Sequence, residues 1–316
     1  MLTSGGDAPG MNAAIRAVTR MGIARNMQVV GIRRGYAGLL GGDMEMLDAR
    51  SVGSIMQHGG TVLQTARCEE FKQPAGVRLG LRRLNEEGVE GLVVVGGNGS
   101  LAGAYELHKL DYPVVGIPAS IDNDVWGTDL SIGVDTALNT MLESIDRIKD
   151  TASALHRAFV VEVMGRQCGY LALHGGIAGG AEVIVLPEVD TKLDSIAEVL
   201  DAAYLRGKTH AIVVVAEGAK HNGQAIAEYL AKEEVGFDVR TTILGHVQRG
   251  GSPSAFDRLL ATRMGVEAVE ALADGDYGCM IGLQGRDLVR RPLSEVVGKE
   301  RSLDTSLYQA AEILAR

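Results

Sequence analysis

The chain has little of what marks a secreted, membrane-spanning or nucleic-acid-binding protein. Its three cysteines, Cys68, Cys168 and Cys279, are scattered and odd in number, without the spacing of a disulfide framework or a metal knuckle, which favours a reducing, intracellular compartment. Apolar runs reach only strand length, well short of the roughly 20 residues that cross a bilayer. Nothing resembles a signal peptide, so a cytoplasmic location is expected. Positive charge is in the minority: 31 Lys and Arg against 40 Asp and Glu give a formal charge of −9. That field disfavours nonspecific nucleic acid and anionic membrane surfaces, so any anion site must be built locally. Aromatic residues make up 4% of the chain. No repeat, low-complexity stretch or Ser/Pro-rich linker appears.

Glycine and aliphatic residues are plentiful instead, at 42 glycines and 46% hydrophobic residues overall. Together with the low aromatic content they suit an α/β protein with aliphatic strands and many tight strand-to-helix turns. At 316 residues the chain is longer than a typical single domain, so two cores are expected. Six short runs read as buried parallel strands: 29–32, 92–95, 114–117, 159–163, 183–186 and 211–215. Segments of helical length and spacing lie at about 12–25, 101–110, 136–151, 195–206 and 257–273. This alternation implies a doubly wound sheet, whose ligands sit beyond the carboxyl ends of the strands. A domain boundary is placed near Ile132. Only Met1 and Leu2 precede the first Gly-rich turn, so the first strand reads as clipped, with initiation upstream or part of a strand lost.

Four segments carry chemistry. The run Tyr112–Ile117 ends in Pro118, Ala119, Ser120, Ile121, Asp122, Asn123 and Asp124. On an extended backbone this spacing puts Asp122 and Asp124 on one side, near Ser120, suited to a divalent cation or a proton transfer; an ordinary polar turn is the alternative. Thr3–Gly10 leads into a helix beginning near Met11, and Gly96–Ser100 opens another, so both present free amides to an anion. Gly97, Gly99 and Ala102, with Asp122 about twenty positions on, also satisfy a loose dinucleotide fingerprint, which keeps a dehydrogenase as a rival. Finally, Gly245–Gly251 sets His246 and Arg249 in one loop, where a guanidinium grips phosphate bidentately. Arg157, Arg166 and Arg240 are further phosphate candidates. Arg16 and Arg20 share a helix face, a like-charge pairing that favours a bridging anion; Arg206 and Lys208 form a second basic pair, with Lys149 joining them if the fold converges.

Taken together, Thr3–Arg16, Gly35–Gly38, Gly96–Ser100, Ser120–Gly127, Met164–Gly169 and Gly245–Pro253 resemble bacterial 6-phosphofructokinase along nearly the whole chain. The resemblance implies two Rossmann-like α/β domains, the second inserted into the first, with chemistry in the cleft between them: 1–132 plus 247–298 for the nucleotide, 133–246 plus 299–316 for the sugar phosphate. It implies ATP and fructose 6-phosphate as substrates, with Mg²⁺. Asp122 would be the base toward the sugar 1-hydroxyl, Asp124 would act through the metal, and the Ser120 hydroxyl would meet the transferring phosphoryl. Gly5, Arg67 and Arg166 would complete the catalytic set. Nucleotide contacts map to Gly5, Tyr36, Arg67, Cys68, Lys72, Gly97, Asn98, Gly99 and Ser100. Sugar-phosphate contacts map to Ser120, Asp122, Met164, Gly165, Arg166, Glu217, His246 and Arg249, with Arg157 and Arg240 reaching in from a neighbouring subunit of a homotetramer. Arg16, Arg20, Lys149, Glu182, Arg206, Lys208 and His210 match an allosteric site for ADP and phosphoenolpyruvate.

Four positions depart from the pattern, one of them Ser120, where the family usually has Thr and the hydroxyl is kept. Asn98 stands where the family carries a metal-binding Asp, Lys72 where an Arg commonly faces ATP phosphates, and Lys149 where the effector site usually has Arg. Pyrophosphate-dependent relatives carry an Asp at the position of Gly99 and a Lys at that of Ala119. Gly99 and Ala119 therefore favour ATP as donor, while the neutral Asn98 weakens metal handling and keeps open a pyrophosphate enzyme or a feeble regulatory subunit.

Overall fold

A computed structural model describes residues 1–314, so positions 315 and 316 of the expected second domain lie outside the described residues. Aliphatic runs become strands that alternate with helices as far as the strand Cys279–Gln284, which then pairs with Asp287–Pro292 as a hairpin. The first stretch comprises β1 (Leu2–Ser4), α1 (Met11–Ala24), β2 (Val29–Ile32), α2 (Gly35–Gly41), β3 (Met44–Leu47), α3 (Pro74–Glu86), β4 (Leu92–Gly96), α4 (Asn98–His108) and β5 (Val114–Pro118). Next come α5 (Val134–Leu155), β6 (Arg157–Val163), α6 (Tyr170–Ala178), β7 (Val183–Val185), α7 (Leu193–Leu205), β8 (Ala211–Ala216), α8 (Gly223–Lys232) and β9 (Asp238–Ile243). The chain closes with α9 (Ala255–Ala273), β10 (Cys279–Gln284), β11 (Asp287–Pro292), α10 (Leu293–Val296) and α11 (Ser306–Leu314). Two compact units result, Met1–Thr136 with Arg249–Arg301, and Ala137–Gln248 with Ser302 onward.

The first unit holds a seven-stranded sheet in the order β11-β10-β5-β4-β1-β2-β3. Its five inner strands are parallel. The two edges, β3 and β11, run antiparallel, which the aliphatic-run reading did not register. The chain winds from β1 outward through β2, then returns to wind outward the other way through β4 and β5. That reversal leaves a crevice at the carboxyl ends of β1 and β4, the usual ligand position of such sheets. Alternate residues of β4 face opposite layers: Leu92 and Val94 pack with Leu39, Leu84, Leu101 and Leu107 of the flanking helices. Each such fully buried aliphatic side chain contributes about 1.5–3 kcal/mol.

The second unit carries a four-stranded parallel sheet ordered β7-β8-β6-β9. Period-two patterning is plain in β8. Ala211, Val213 and Val215 pack beside Ile196, Leu200 and Ile226 on one face; Ile212, Val214 and Ala216 pack beside Met141, Ile145 and Leu173 on the other. With both faces covered by helices, β8 is buried throughout, as parallel strands require.

Candidate active site

In the first unit three neighbouring strands end together, and each delivers one predicted segment. After β1 the backbone turns at Gly5, whose φ of +86° excludes most side chains. Gly6 lies so close to Arg249 that a Cβ there would stand 2.6 Å from Nη1. After β4, Gly97 caps α4, which starts at Asn98; its carbonyl accepts from the Ser100 amide at 2.9 Å, which leaves the Asn98 and Gly99 amides without intrahelical partners. Tyr36 supports this loop from beneath: it is 4% exposed, stacks on Phe71 at 4.0 Å, and its hydroxyl donates to the Ser100 carbonyl at 2.7 Å. Burial raises its phenol well above the ordinary range.

After β5 comes a loop closed at its base. The Ser120 amide donates to the Ile132 carbonyl at 3.1 Å and the Ile132 amide to Pro118 at 3.0 Å. Here the extended backbone expected through Asp122 and Asp124 is not found. Residues 121 and 122 form a turn and Asn123 has φ +53°, because the Asn123 side chain binds within the loop and holds it left-handed. The two carboxylates accordingly do different things. Asp122 is 2% exposed, its amide donates to Ser120 Oγ at 3.3 Å, and its Oδ1 lies 3.9 Å from Arg249 Nη2. Asp124 lies 3.5 Å from the Ser120 hydroxyl and accepts from the Asn98 side-chain amide at 3.0 Å. Arg249 is steadied by the Asp7 carbonyl, 3.1 Å from Nη1. Thus Gly5, Gly97, Asn98, Ser100, Ser120, Asp122, Asp124 and Arg249 converge at one corner of the first unit. Arg67 is exposed and Cys68 half-buried. Lys72 pairs with Glu69 at 2.8 Å on the surface.

In the second unit, the loop after β6 is held by carboxylate and amide acceptors. The Met164 amide donates to Gln248 Oε1 at 2.8 Å; the Gly165 and Arg166 amides donate to Glu217 Oε1 at 3.3 and 2.8 Å. Gly165 and Arg166 both have positive φ, and the Arg166 side chain is exposed. His246 is also exposed. Arg157 and Arg240 share Asp238, at 3.0 and 2.7 Å. Glu182, nearly buried, accepts from Lys208 Nζ at 3.0 Å and from the Ile212 amide at 2.6 Å; His210 meets Ser153 Oγ at 2.8 Å. Lys149 Nζ lies against Gly180, and Arg206 is exposed. In the first unit Arg20 donates to the Ala49 carbonyl at 3.4 Å, and Arg16 is half-buried on the same helix.

Pattern reading missed Gln248, which is fully buried and carries an Nε2 without a partner among the described residues, and Glu188, which accepts from Gly169 at 2.8 Å. Glu188 belongs to no local motif, and Gln248 sits inside Gly245–Gly251 between the two residues singled out there. Each braces a loop elsewhere in the chain, a role that local pattern does not reveal.

The sequence model of the family Phosphofructokinase matches residues 1–272. The ATP-dependent 6-phosphofructokinase of Thermotoga neapolitana is 52% identical over 316 residues, all of this chain and 98% of that protein. Its counterpart from Halalkalibacterium halodurans is 49% identical, again over 100% of this chain and 98% of the other. Among solved structures, phosphofructokinase from Saccharomyces cerevisiae superposes with a TM-score of 0.88 at 39% identity over 99% of this chain, which spans 46% of that longer one. A pyrophosphate-dependent phosphofructokinase from Nitrosospira multiformis shares the fold, with a TM-score of 0.88 at 19% identity over 99% of this chain and 90% of that one. By the family match and by relatives about half identical from end to end, this chain belongs to the phosphofructokinase family.

Proposed function

We propose that this protein is an ATP-dependent 6-phosphofructokinase, which transfers the γ-phosphoryl of ATP to the 1-hydroxyl of fructose 6-phosphate and releases fructose 1,6-bisphosphate and ADP. The carrying observation is the corner where Asp122, Ser120 and Asp124 meet two Gly-rich anion loops, in a chain about half identical to full-length ATP-dependent relatives. Phosphoryl transfer asks little covalent chemistry of the protein: alignment, a proton acceptor and charge stabilisation suffice. Asp122, buried beside the Arg249 guanidinium, accepts the proton from the sugar hydroxyl as that oxygen attacks. The Ser120 hydroxyl and the Gly5 amide, with Arg67 and Arg166, meet charge on the phosphoryl oxygens. The Asn98 and Gly99 amides hold the phosphate chain, and Tyr36 fixes their position from below.

One carboxylate and one amide occupy the metal corner, since Asn98 Nδ2 already satisfies Asp124 Oδ2. Mg²⁺ is commonly held by only one or two carboxylates while water and nucleotide supply the remaining ligands, so these residues fit a cation that arrives with ATP. Asp124 and the carbonyl oxygen of Asn98 would hold it. Bound there, it neutralises charge on the β- and γ-phosphates. The sugar-phosphate determinants are Met164–Arg166, Glu217, His246 and Arg249, with Arg157 and Arg240 serving a neighbouring protomer of a homotetramer. Arg16, Arg20, Lys149, Glu182, Arg206, Lys208 and His210 form the effector set for ADP and phosphoenolpyruvate, and the enzyme works in the cytoplasm. ADP release with fructose 6-phosphate, ATP and Mg²⁺ tests the assignment. Turnover with pyrophosphate but not ATP overturns the donor, and NADH binding without turnover revives a dehydrogenase.

A further inference from the structure

We infer that Asn123 is a positioning residue that sets the angle between Asp122 and Asp124, a role resting on the function proposed above. Asn123 is 1% exposed and lies between the two carboxylates in the chain. Its Oδ1 accepts from the Ser131 amide at 3.0 Å and its Nδ2 donates to the Asp129 carbonyl at 3.2 Å. Both partners lie on the far limb of the loop, next to the Ser120–Ile132 closure. The side chain is therefore a rung across the loop, and it fixes the backbone that aims both acids.

The conformation it holds is costly for most residues. With φ at +53° Asn123 occupies the left-handed region, which Asn tolerates better than other residues bearing a Cβ. Such a conformation persists where surrounding bonds over-determine it. Other anchors grip the same loop. Thr128 Oγ1 accepts from the Leu283 amide at 3.0 Å, Asp129 Oδ2 accepts from the Gly285 amide at 2.6 Å, and Arg301 donates to the carbonyls of Asp124 and Asp129. Those contacts place the loop on the sheet. Asn123 lies between the base and its neighbouring acid, so its two side-chain bonds act on the torsions that separate them, and the directions of both side chains follow from those torsions.

The test is a mutant cycle. Asn123→Gly keeps positive φ available while deleting both rungs; Asn123→Asp keeps the acceptor for Ser131 and loses the donor. Asn123→Gly is expected to lower kcat by about 10²-fold, the order that a misplacement of about 1 Å costs, with KM for ATP and for fructose 6-phosphate within about threefold. In an Asp122→Ser background the same change should alter the residual rate by less than about threefold, because residues acting as a unit are non-additive. Asn123→Asp is expected to fall between the two and to show the same collapse of effect in that background. It carries the test if the glycine variant does not fold by urea titration. Wild-type kcat in the folded variant, or a loss carried in full into the Asp122→Ser background, overturns the inference while leaving the kinase assignment standing. A wild-type rate for Asp122→Ser alone overturns the assignment itself.

Discussion

Asn98 donates to Asp124 at 3.0 Å, and a second carboxylate at that position would face the first at hydrogen-bond distance. Like charges so placed demand a cation, whereas the amide meets the demand itself. Asn98→Asp is therefore expected to lower the thermal midpoint in EDTA, regain it on adding Mg²⁺, and reduce the Mg²⁺ needed for half-maximal turnover by about tenfold, equivalent to about 1.4 kcal/mol. A Mg²⁺ titration followed by both melting and rate checks it; an unchanged metal requirement contradicts the assignment of this corner. Asp122→Ser is expected to cut kcat by about 10²- to 10⁴-fold, the usual share of general base catalysis. KM should change little, because Ser120 and Arg249 remain to hold the substrates, and steady-state kinetics with each substrate varied separates the two parameters. Asp122, Asp124, Ser120 and Asn98 were visible in the sequence because each follows an aliphatic run, 92–95 for Asn98 and 114–117 for the others. Their separate roles came only from the resemblance, because local spacing does not show the left-handed Asn123, which turns a stretch read as extended into a tight loop.

Among elements, the starts of α5 and α9 are joined by one buried side chain. Asp257 accepts from the Gly133 amide at 2.9 Å, the Thr136 amide at 2.8 Å and the Thr136 hydroxyl at 2.6 Å, so it caps α5 from the first turn of α9. Gly133 directly follows Ile132, which closes the loop after β5. Asp257→Asn replaces one acceptor oxygen by a donor facing donors, which should cost about 1–3 kcal/mol in urea unfolding. Burial is the main influence on this carboxyl and raises it above its ordinary 3.8. The folded state then binds the proton more tightly than the unfolded one. The group's stabilisation is full below pH 3.8 and is lost as pH rises through the raised value; the asparagine variant lacks that decline. Equal pH slopes for the two proteins contradict it. Elements buried on both faces, such as β4, β5 and β8, were legible as aliphatic runs. The edges β3, β9 and β11 were not, because half-exposed strands such as Asp238–Ile243 and Asp287–Pro292 carry charge and lose the continuous apolar signal.

For the molecule as a whole, an excess of negative charge has to coexist with binding of polyanions. On the proposed function the answer lies in local donors: backbone amides after β1 and β4 in the first unit, and in the second the Arg166 side chain on a loop whose Gly165 and Arg166 amides are taken by Glu217. Each set sits at the carboxyl edge of its own sheet and rests on its own core. Alternation of strands and helices made two such sheets legible in the sequence; the bracing roles of Glu217, Gln248 and Asp257 were not, since they act across long sequence separations. Ligands that bind the folded state add RT ln(1 + [L]/Kd), about 2.7 kcal/mol at a hundredfold excess over Kd, and that gain appears as slower amide exchange where each ligand sits. ATP with Mg²⁺ should therefore slow exchange in peptides spanning Thr3–Gly10 and Gly96–Ser100, and fructose 6-phosphate in peptides spanning Met164–Gly169 and Gly245–Arg249. Hydrogen exchange with mass detection, one ligand at a time, reads both. Protection by fructose 6-phosphate confined to the first unit would remove Met164–Arg166 from the sugar-phosphate site, and protection by ATP confined to the second would remove the two Gly-rich loops from the nucleotide site.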